Sequence, residues 1–266
     1  MSTKPSEPAT AISTSDRQPT PNYDTMRAAG LVAPTLDPLA EWDPEWTESF
    51  MKLSQSAQTS DVLDPRLVAL IRLNIDVTAT HMYGPGVRRH VRDALRLGVT
   101  RAQILEVFKL ASVVGIHACA LGVPILAEEL ASAGLPDEPA PATSTPVCDH
   151  VRASGMFNPL WETIYRWDPQ YLEAFLAMGL GLWRDNVLPP LWIEFLCIAG
   201  DAAITHMYAH GTRRHIQAAL VLGATREQIL EVLKIVSLQG IEACELAVPL
   251  LQAECAEHDR ARRKTA

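Results

Sequence analysis

An internal repeat is the feature that most constrains how this 266-residue chain can fold. Residues 80–124 read THMYGPGVRRHVRDALRLGVTRAQILEVFKLASVVGIHACALGVP, and residues 205–249 read THMYAHGTRRHIQAALVLGATREQILEVLKIVSLQGIEACELAVP. The two segments align without a gap at an offset of about 125 residues, and about three-fifths of the aligned positions are identical. Because such identity is far above chance, the chain is predicted to contain two copies of one structural unit.

The repeat also predicts how the chain divides. The match extends upstream to a Trp-Asp-Pro triplet at residues 42–44 and again at residues 167–169. A segment rich in Pro, with little tendency to form a helix, separates the two copies. The predicted order is a disordered tail rich in Ser, Thr and Pro (1–20), the first repeat (21–135), a linker (136–146), the second repeat (147–258) and a charged, frayed tail (259–266).

Composition excludes several classes of protein. The formal net charge of −8 argues against binding nucleic acid or an anionic membrane surface. The five cysteines form no C-x-x-C pair, so neither a disulfide framework nor a zinc ribbon is predicted. The N-terminus has no apolar core typical of a secretory signal, and the apolar stretch 111–127 is short for a membrane span and is predicted to be buried core. A cytoplasmic location is therefore expected.

Local signals predict helices throughout both repeats. Asp43 and Asp64 each precede a proline, a pattern typical of a helix N-cap followed by Pro at the first helical position. Thr100 is followed three residues later by Gln103, which predicts a capping box, and Gly98 ends the preceding helix. No segment alternates apolar and polar residues convincingly, so an all-α fold of two similar helical bundles is predicted.

The segment T-H-M-Y-x-x-G-x-R-R-H, which begins at Thr80 and again at Thr205, is the most informative for function. Helical spacing places His90 and His215 on the apolar faces of their helices. A partly buried imidazole can have a pKa near neutrality, as a general acid or base requires. The alternative is a core histidine whose hydrogen bonds are satisfied within the protein.

Other side chains of this segment are further candidates for the site. His81, His206, Tyr83 and Tyr208 are candidate catalytic groups, which could donate hydrogen bonds to a developing oxyanion. Arg88, Arg89, Arg213 and Arg214 are candidate substrate-binding groups, which could bind a carboxylate or a lactone oxygen. The alternatives are a histidine that interacts with a helix C-terminus, a tyrosine that packs at the surface and arginines that are solvated. Asp76 and Asp201 could orient an imidazole or pair with a buried arginine.

The pattern G-x-x-x-H, then A-L-x-L-G-x-T-R-x-Q-I-L-E-V, then G-I-x-A-C resembles the carboxymuconolactone decarboxylase / alkylhydroperoxidase D-like family in a tandem-duplicated form. The resemblance covers most of each repeat and implies an all-α fold and a homo-oligomer, for which we expect a trimer with a pseudo-hexameric arrangement. The family histidine maps onto His90 and His215.

The peroxidase branch of that family carries C-x-x-C-x-x-x-H. Counted back from the two histidines, its cysteines would fall at Tyr83, Gly86, Tyr208 and Gly211, and none of these is cysteine. Dithiol chemistry requires a thiolate and a resolving thiol, so alkylhydroperoxidase activity is disfavoured.

The decarboxylase branch implies a lyase or isomerase that needs neither a cofactor nor a metal. Its substrate would be a small cyclic carboxylate or lactone, in aromatic compound catabolism, with no nucleic acid or membrane partner. Loss of CO2 leaves an enolate that must be stabilised and then protonated.

Two alternatives stay open from the sequence. One is a metal-dependent enzyme in which His81 with His90, or His206 with His210 and His215, bind a divalent ion. The other is a non-catalytic binding or assembly protein that kept the fold. The repeats also differ, with His117 in the first where the second has Glu242, so one site can be active and the other degenerate.

Overall fold

A computed structural model describes residues 19–58 and 61–265 of the chain, so the predicted tail 1–20 lies almost wholly outside the described residues. The described residues form helices and connecting loops without any strand, which confirms the all-α prediction. The α-helices are α1 (Pro21–Ala28), α2 (Asp37–Trp42), α3 (Pro44–Gln58), α4 (Pro65–Val77), α5 (Gly84–Arg96), α6 (Arg101–Val113), α7 (His117–Ser132), α8 (Pro146–Ala153), α9 (Glu162–Trp167), α10 (Pro169–Arg184), α11 (Pro190–Ala202), α12 (Ala209–Val221), α13 (Arg226–Ser237) and α14 (Glu242–Thr265).

The helix boundaries follow the local signals of the sequence. The Thr100 hydroxyl accepts a hydrogen bond from the Gln103 backbone N–H at 3.2 Å, and the Gln103 side chain accepts one from the Thr100 N–H at 3.0 Å. This is the predicted capping box at the start of α6. Asp64 caps α4 in the same manner by accepting from the Arg66 N–H at 2.8 Å. Gly98 ends the preceding helix with a positive φ of 81°.

The described chain divides into two compact units that cut across the two repeats. The larger unit spans residues 61–237 and contains the central helices of both repeats. Its main core joins α4 with α11: Leu70 and Ile71 of α4 and Leu196 and Ile198 of α11 are each completely buried. Burial of each such side chain stabilises the fold by roughly 1.5–3 kcal/mol. Helices of both repeats therefore share one hydrophobic core.

The smaller unit combines residues 19–58 with residues 238–265. Tyr23, Leu36 and Met51 lie in its core, each at most 2% exposed. Its last helix, α14, continues to Thr265 and so includes most of the segment predicted as a charged tail. Three basic side chains occupy the last turn, where they interact favourably with the helix dipole.

The prediction that the apolar stretch 111–127 is buried core is wrong. It belongs to a 32-residue helical run, Arg101–Ser132, that is long and apolar enough to cross a membrane, although a single run of this kind is weak evidence for a membrane span. Only 22% of its most apolar window is buried, and Leu121, Ile125 and Leu126 are at least 48% exposed. This helix therefore presents an apolar surface.

Candidate active site

The same backbone turn carries the candidate site residues in both repeats. α4 ends at Val77, and the chain turns sharply before α5, with Met82 in the left-handed region at a φ of 53°. The second repeat copies this turn between α11 and α12, where Met207 also has a φ of 53°. A left-handed backbone is unfavourable for methionine, and its presence in both repeats indicates a turn held by its surroundings.

Contacts with an aspartate backbone hold each turn. The Tyr83 N–H donates to the Asp76 carbonyl at 2.8 Å, and the Tyr208 N–H donates to the Asp201 carbonyl at 2.8 Å. The start of each following helix then packs directly on the aspartate side chain, at Gly86 in the first repeat and at the equivalent glycine in the second. A β-carbon on Gly86 would overlap the Asp76 carboxylate, so this close approach requires glycine.

In the first repeat, the histidine is bound by the aspartate at the end of the preceding helix. His90 Nδ1 lies 2.6 Å from Asp76 Oδ2, and the two residues are 8% and 1% exposed. The structure thus places Asp76 where the sequence suggested that a carboxylate could orient an imidazole. Arg72 is half-buried nearby, and desolvation together with the charge of Arg89 lowers its pKa to about 10.

In the second repeat, a different carboxylate binds the histidine. His215 Nδ1 lies 2.7 Å from Glu194 Oε2, and the Trp183 indole N–H donates to the other Glu194 oxygen at 2.9 Å. Burial lowers the pKa of His215, but its interactions with Cys197 and Glu194 outweigh burial and raise that pKa to about 10. The Glu194 carboxylate therefore favours the protonated form of the His215 imidazole.

Asp201 is the equivalent of Asp76, but it has no such partner. Its Oδ2 atom is buried and accepts no hydrogen bond from any described residue, and it lies 3.9 Å from His215 Nε2. Burial raises the pKa of Asp201 to about 7, although His215 and Arg214 lower it. The second site therefore contains a buried carboxylate whose charge is only partly compensated.

His117, at the start of α7, enters the site of the second repeat. Its Nδ1 atom lies 2.8 Å from His206 Nε2 and 3.8 Å from Asp201 Oδ1. Its ring stacks on Tyr208 with 3.9 Å between ring centroids. Burial, with smaller contributions from His206, His215 and Arg214, lowers the pKa of His117 to about 4, and burial also lowers that of His206. Both imidazoles are therefore neutral near pH 7.

The structure separates the four candidate arginines. Arg214 is half-buried, with its guanidinium 5.4 Å from the Trp161 ring centroid and an N–H donated to the Met156 carbonyl at 3.2 Å. Its positive charge acts on Asp201 and lowers the pKa of that carboxyl. Arg89 is half-buried at the equivalent position of the first repeat, whereas the side chains of Arg88 and Arg213 are exposed.

Of the candidate histidines and tyrosines, some lie at the site and others at the surface. His81 and Tyr83 lie together, with 5.7 Å between ring centroids, as do His206 and Tyr208 at 5.8 Å. The hydroxyl of Tyr208 is buried and bonds to no described residue. His210, a ligand in one of the metal sets suggested by the sequence, is exposed instead.

Two residues of this site, Glu194 and His117, were not among the site residues predicted from the sequence. Both come from outside the T-H-M-Y segment, on α11 and α7. A signal for each was present: Glu194 is a lone glutamate within the apolar run LWIEFLCIAG, and His117 is replaced by glutamate in the other repeat. Glu194 is a polar residue where the pattern predicts an apolar one. His117 lies at a position where the two copies of the repeat have different residues.

Comparisons with known proteins identify the family of this chain. The model of the carboxymuconolactone decarboxylase family matches it twice, over residues 44–121 and 169–253. The chain belongs to the carboxymuconolactone decarboxylase family. Each repeat holds one match, which confirms the tandem duplication of the family's helical unit. None of the curated proteins compared matches this member of the family.

A solved structure supports the same conclusion for most of the chain. A crystal structure from Burkholderia xenovorans LB400, named as a "putative gamma-carboxymuconolactone decarboxylase subunit", is 36% identical and has a TM-score of 0.82. The alignment covers 90% of this chain and all of the other chain. The two proteins therefore share the duplicated fold over nearly their whole lengths.

Proposed function

We propose that the protein is a carboxymuconolactone decarboxylase-like lyase or isomerase that acts on a small cyclic carboxylate or lactone, with His215 as its general acid and base. The observation that carries this proposal is the 2.7 Å contact between the buried Glu194 and the half-buried His215, which lies beside Asp201. A carboxylate that holds one imidazole nitrogen fixes the ring orientation and leaves the other nitrogen for proton transfer. This proton transfer requires no cofactor.

The reaction makes three demands that this site can meet. When a carboxylated lactone loses CO2, the carbon–carbon bond to the carboxylate breaks and its electron pair moves to the lactone carbonyl oxygen. Arg214 supplies a cation for the substrate carboxylate, and the Tyr208 hydroxyl supplies a donor for the enolate oxygen. His215 then donates its proton to the enolate carbon, which restores the lactone carbonyl, and regains a proton from solvent.

We assign the reaction to the second repeat. Glu194 has Ala69 at the equivalent position of the first repeat, so Asp76 is the only acidic residue of α4, and His90 bonds to it. This buried pair joins α5 to the end of α4. His90, His81, Tyr83 and Arg89 are therefore proposed to preserve the fold rather than to turn over substrate.

We also propose a homo-oligomer, with a trimer of pseudo-hexameric arrangement as the expected form. Leu121, Ile125 and Leu126 of α7 are at least 48% exposed, and the equivalent α14 residues, Leu246, Leu250 and Leu251, are at least 53% exposed. Repeated apolar surfaces of this kind are typical of interfaces between subunits. In the proposed oligomer these surfaces are buried between copies and not against a membrane. The acidic net charge supports a protein that binds no nucleic acid, and we propose a cytoplasmic location.

Release of CO2 from γ-carboxymuconolactone and a panel of related carboxylated lactones tests the proposal. The wild-type protein should release CO2 from at least one of them, and His215→Ala should lower that rate at least 100-fold. His210→Ala is the matched control, since His210 is exposed on the same helix. Ligand binding without any product would instead support the binding or assembly alternative.

A further inference from the structure

Three side chains with metal-binding atoms converge in the larger unit, and they come from different parts of the chain. His117 begins α7, Asp201 lies near the end of α11, and His206 lies in the turn before α12. One ligand atom from each lies within 4.8 Å of the other two. Sequence spacing alone does not group these residues, because His117 belongs to the first repeat and the other two belong to the second.

The carboxylate of this group is buried, and one of its oxygens faces the two histidines. Asp201 is 3% exposed; its Oδ1 atom lies 3.8 Å from His117 Nδ1, and its Oδ2 atom lies 3.9 Å from His215 Nε2 and has no hydrogen-bond partner among the described residues. A buried carboxylate is stable only where cations or hydrogen-bond donors compensate its charge, and a metal ion on Oδ1 would add to the compensation from His215 and Arg214. Asp76, its counterpart in the first repeat, is bound by His90 at 2.6 Å.

In the second repeat, Asp201 does not form the hydrogen bond to the histidine that Asp76 forms in the first. Glu194 binds His215, which leaves Asp201 to face His117 and His206. The position of the half-buried Arg72 in the first repeat is Cys197 in the second, so no guanidinium from that position compensates Asp201. The second site thus holds two buried carboxylates where the first holds one carboxylate and an arginine.

We propose that His117, Asp201 and His206 bind one divalent transition-metal ion, with Zn²⁺ as the type. Two imidazoles and one carboxylate form a ligand set typical of catalytic zinc, and three protein ligands leave one coordination position open. Tetrahedral bonds of about 2.0–2.1 Å place ligand atoms roughly 3.3 Å apart. The observed separations, 2.8 Å between the two nitrogens and 3.8 Å from His117 to Asp201, each lie about half an ångström from that value.

This metal site goes beyond the proposed function and departs from the cofactor-free chemistry expected from the sequence. It also differs from both ligand sets suggested there, since it includes neither His90 nor His215. The ion would lie beside Tyr208, whose ring stacks on His117, and would supply a Lewis acid for a substrate oxygen. His215 and Glu194 are not ligands, so proton transfer and metal binding rest on different residues.

Titration of the full-length protein with Co²⁺ after treatment with a chelator tests the site. Calorimetry gives the affinity and stoichiometry, and the visible absorption of Co²⁺ reports its coordination by nitrogen and oxygen. Wild-type protein should bind the ion, and His117→Ala and Asp201→Asn should each remove one bound ion per chain or weaken its binding at least tenfold. Asp201→Asn keeps the side-chain shape, and circular dichroism verifies that each variant is folded.

Two controls make the result decisive. His210→Ala should bind Co²⁺ as the wild type does, because His210 is exposed and outside the group. His215→Ala should also keep Co²⁺ binding while turnover is lost, which separates failure of the metal site from failure of the proposed reaction. The inference is overturned if the wild type binds no Co²⁺, or if His117→Ala and Asp201→Asn both bind it with wild-type affinity and stoichiometry.

Discussion

The two repeats hold the same histidine with different carboxylates. In the first, His90 bonds to Asp76 at 2.6 Å, whereas in the second His215 bonds to Glu194 at 2.7 Å, and the Oδ2 atom of Asp201 is left without a hydrogen-bond partner among the described residues. The carboxylate that binds His215 lies at a position of the preceding helix that is Ala69 in the first repeat and Glu194 in the second. A substitution within a duplicated scaffold can therefore change which carboxylate holds the histidine.

The scaffold itself has hardly changed between the repeats. The left-handed methionine, the tyrosine N–H bonded to the aspartate carbonyl and the glycine packed on the aspartate occur in both. Backbone geometry is thus conserved within the molecule while the side chains around the histidine diverge. This divergence supports our proposal that the second repeat carries the chemistry and the first preserves the fold.

The largest expected effect comes from removing each histidine in turn. His215→Ala should lower turnover of a responsive lactone by roughly 10²–10⁴-fold, because it removes the proposed general acid. His90→Ala should lower turnover less than about tenfold, although loss of its buried bond to Asp76 should lower the free energy of unfolding. Steady-state kinetics and urea unfolding measure the two quantities. Equal losses of turnover would show that the repeats are functionally equivalent.

Replacing Glu194 should remove the carboxylate contact that distinguishes the second site from the first. Glu194→Gln keeps the side-chain volume but removes the negative charge that holds His215, and turnover should fall by roughly 10–100-fold. Glu162→Gln is a matched control, since Glu162 forms an exposed pair with Arg152. Turnover in Glu194→Gln that equals the wild type would rule out Glu194 as the positioning residue.

Substitutions at Gly86 and Gly211 test whether the two repeats share the same backbone packing. An added β-carbon would lie 2.6 Å from Asp76 Cγ at Gly86 and 2.8 Å from Asp201 Cγ at Gly211. Gly86→Ala and Gly211→Ala should therefore each lower the free energy of unfolding by about 2 kcal/mol. Urea unfolding of the two variants checks this, with Gly115→Ala as control because nothing lies within 4 Å of its β-carbon. An effect confined to one repeat would contradict a shared scaffold.

The smallest effect is expected at the arginines of the second repeat. Arg214→Ala should raise KM by about tenfold, because it removes the cation proposed to bind the substrate carboxylate. Arg213→Ala should change KM less than twofold, since its side chain is exposed. Steady-state kinetics of both variants gives the comparison. A larger effect at Arg213 would move the carboxylate-binding role to the exposed arginine.

Features fixed by neighbouring residues were predictable from the sequence. The Thr100 capping box, the Asp64 cap and the turn at Gly98 depend on residues at most three positions apart, and all three are present. The all-α fold follows from such local signals together with the repeat. The placement of His90 on a buried helix face was predicted from helical spacing, and the ring is 8% exposed.

Contacts between distant helices were not predictable in the same way. His117 and His206 are 89 positions apart, and their bond depends on how α7 packs near the turn before α12. The exposure of the apolar face of α7 is not predictable from sequence because hydrophobicity alone does not distinguish a buried core from an exposed apolar surface. The two compact units also cut across the repeats, which no local pattern indicates.

A crystal structure with a bound carboxylated lactone that resists decarboxylation would show which repeat binds the substrate. We expect ligand in the second repeat, with its carboxylate on Arg214, its ring beside His215 and its carbonyl oxygen toward Tyr208. The site around His90 should hold none. A ligand bound beside His90, or one that contacts neither histidine, would contradict the assignment of the reaction to the second repeat.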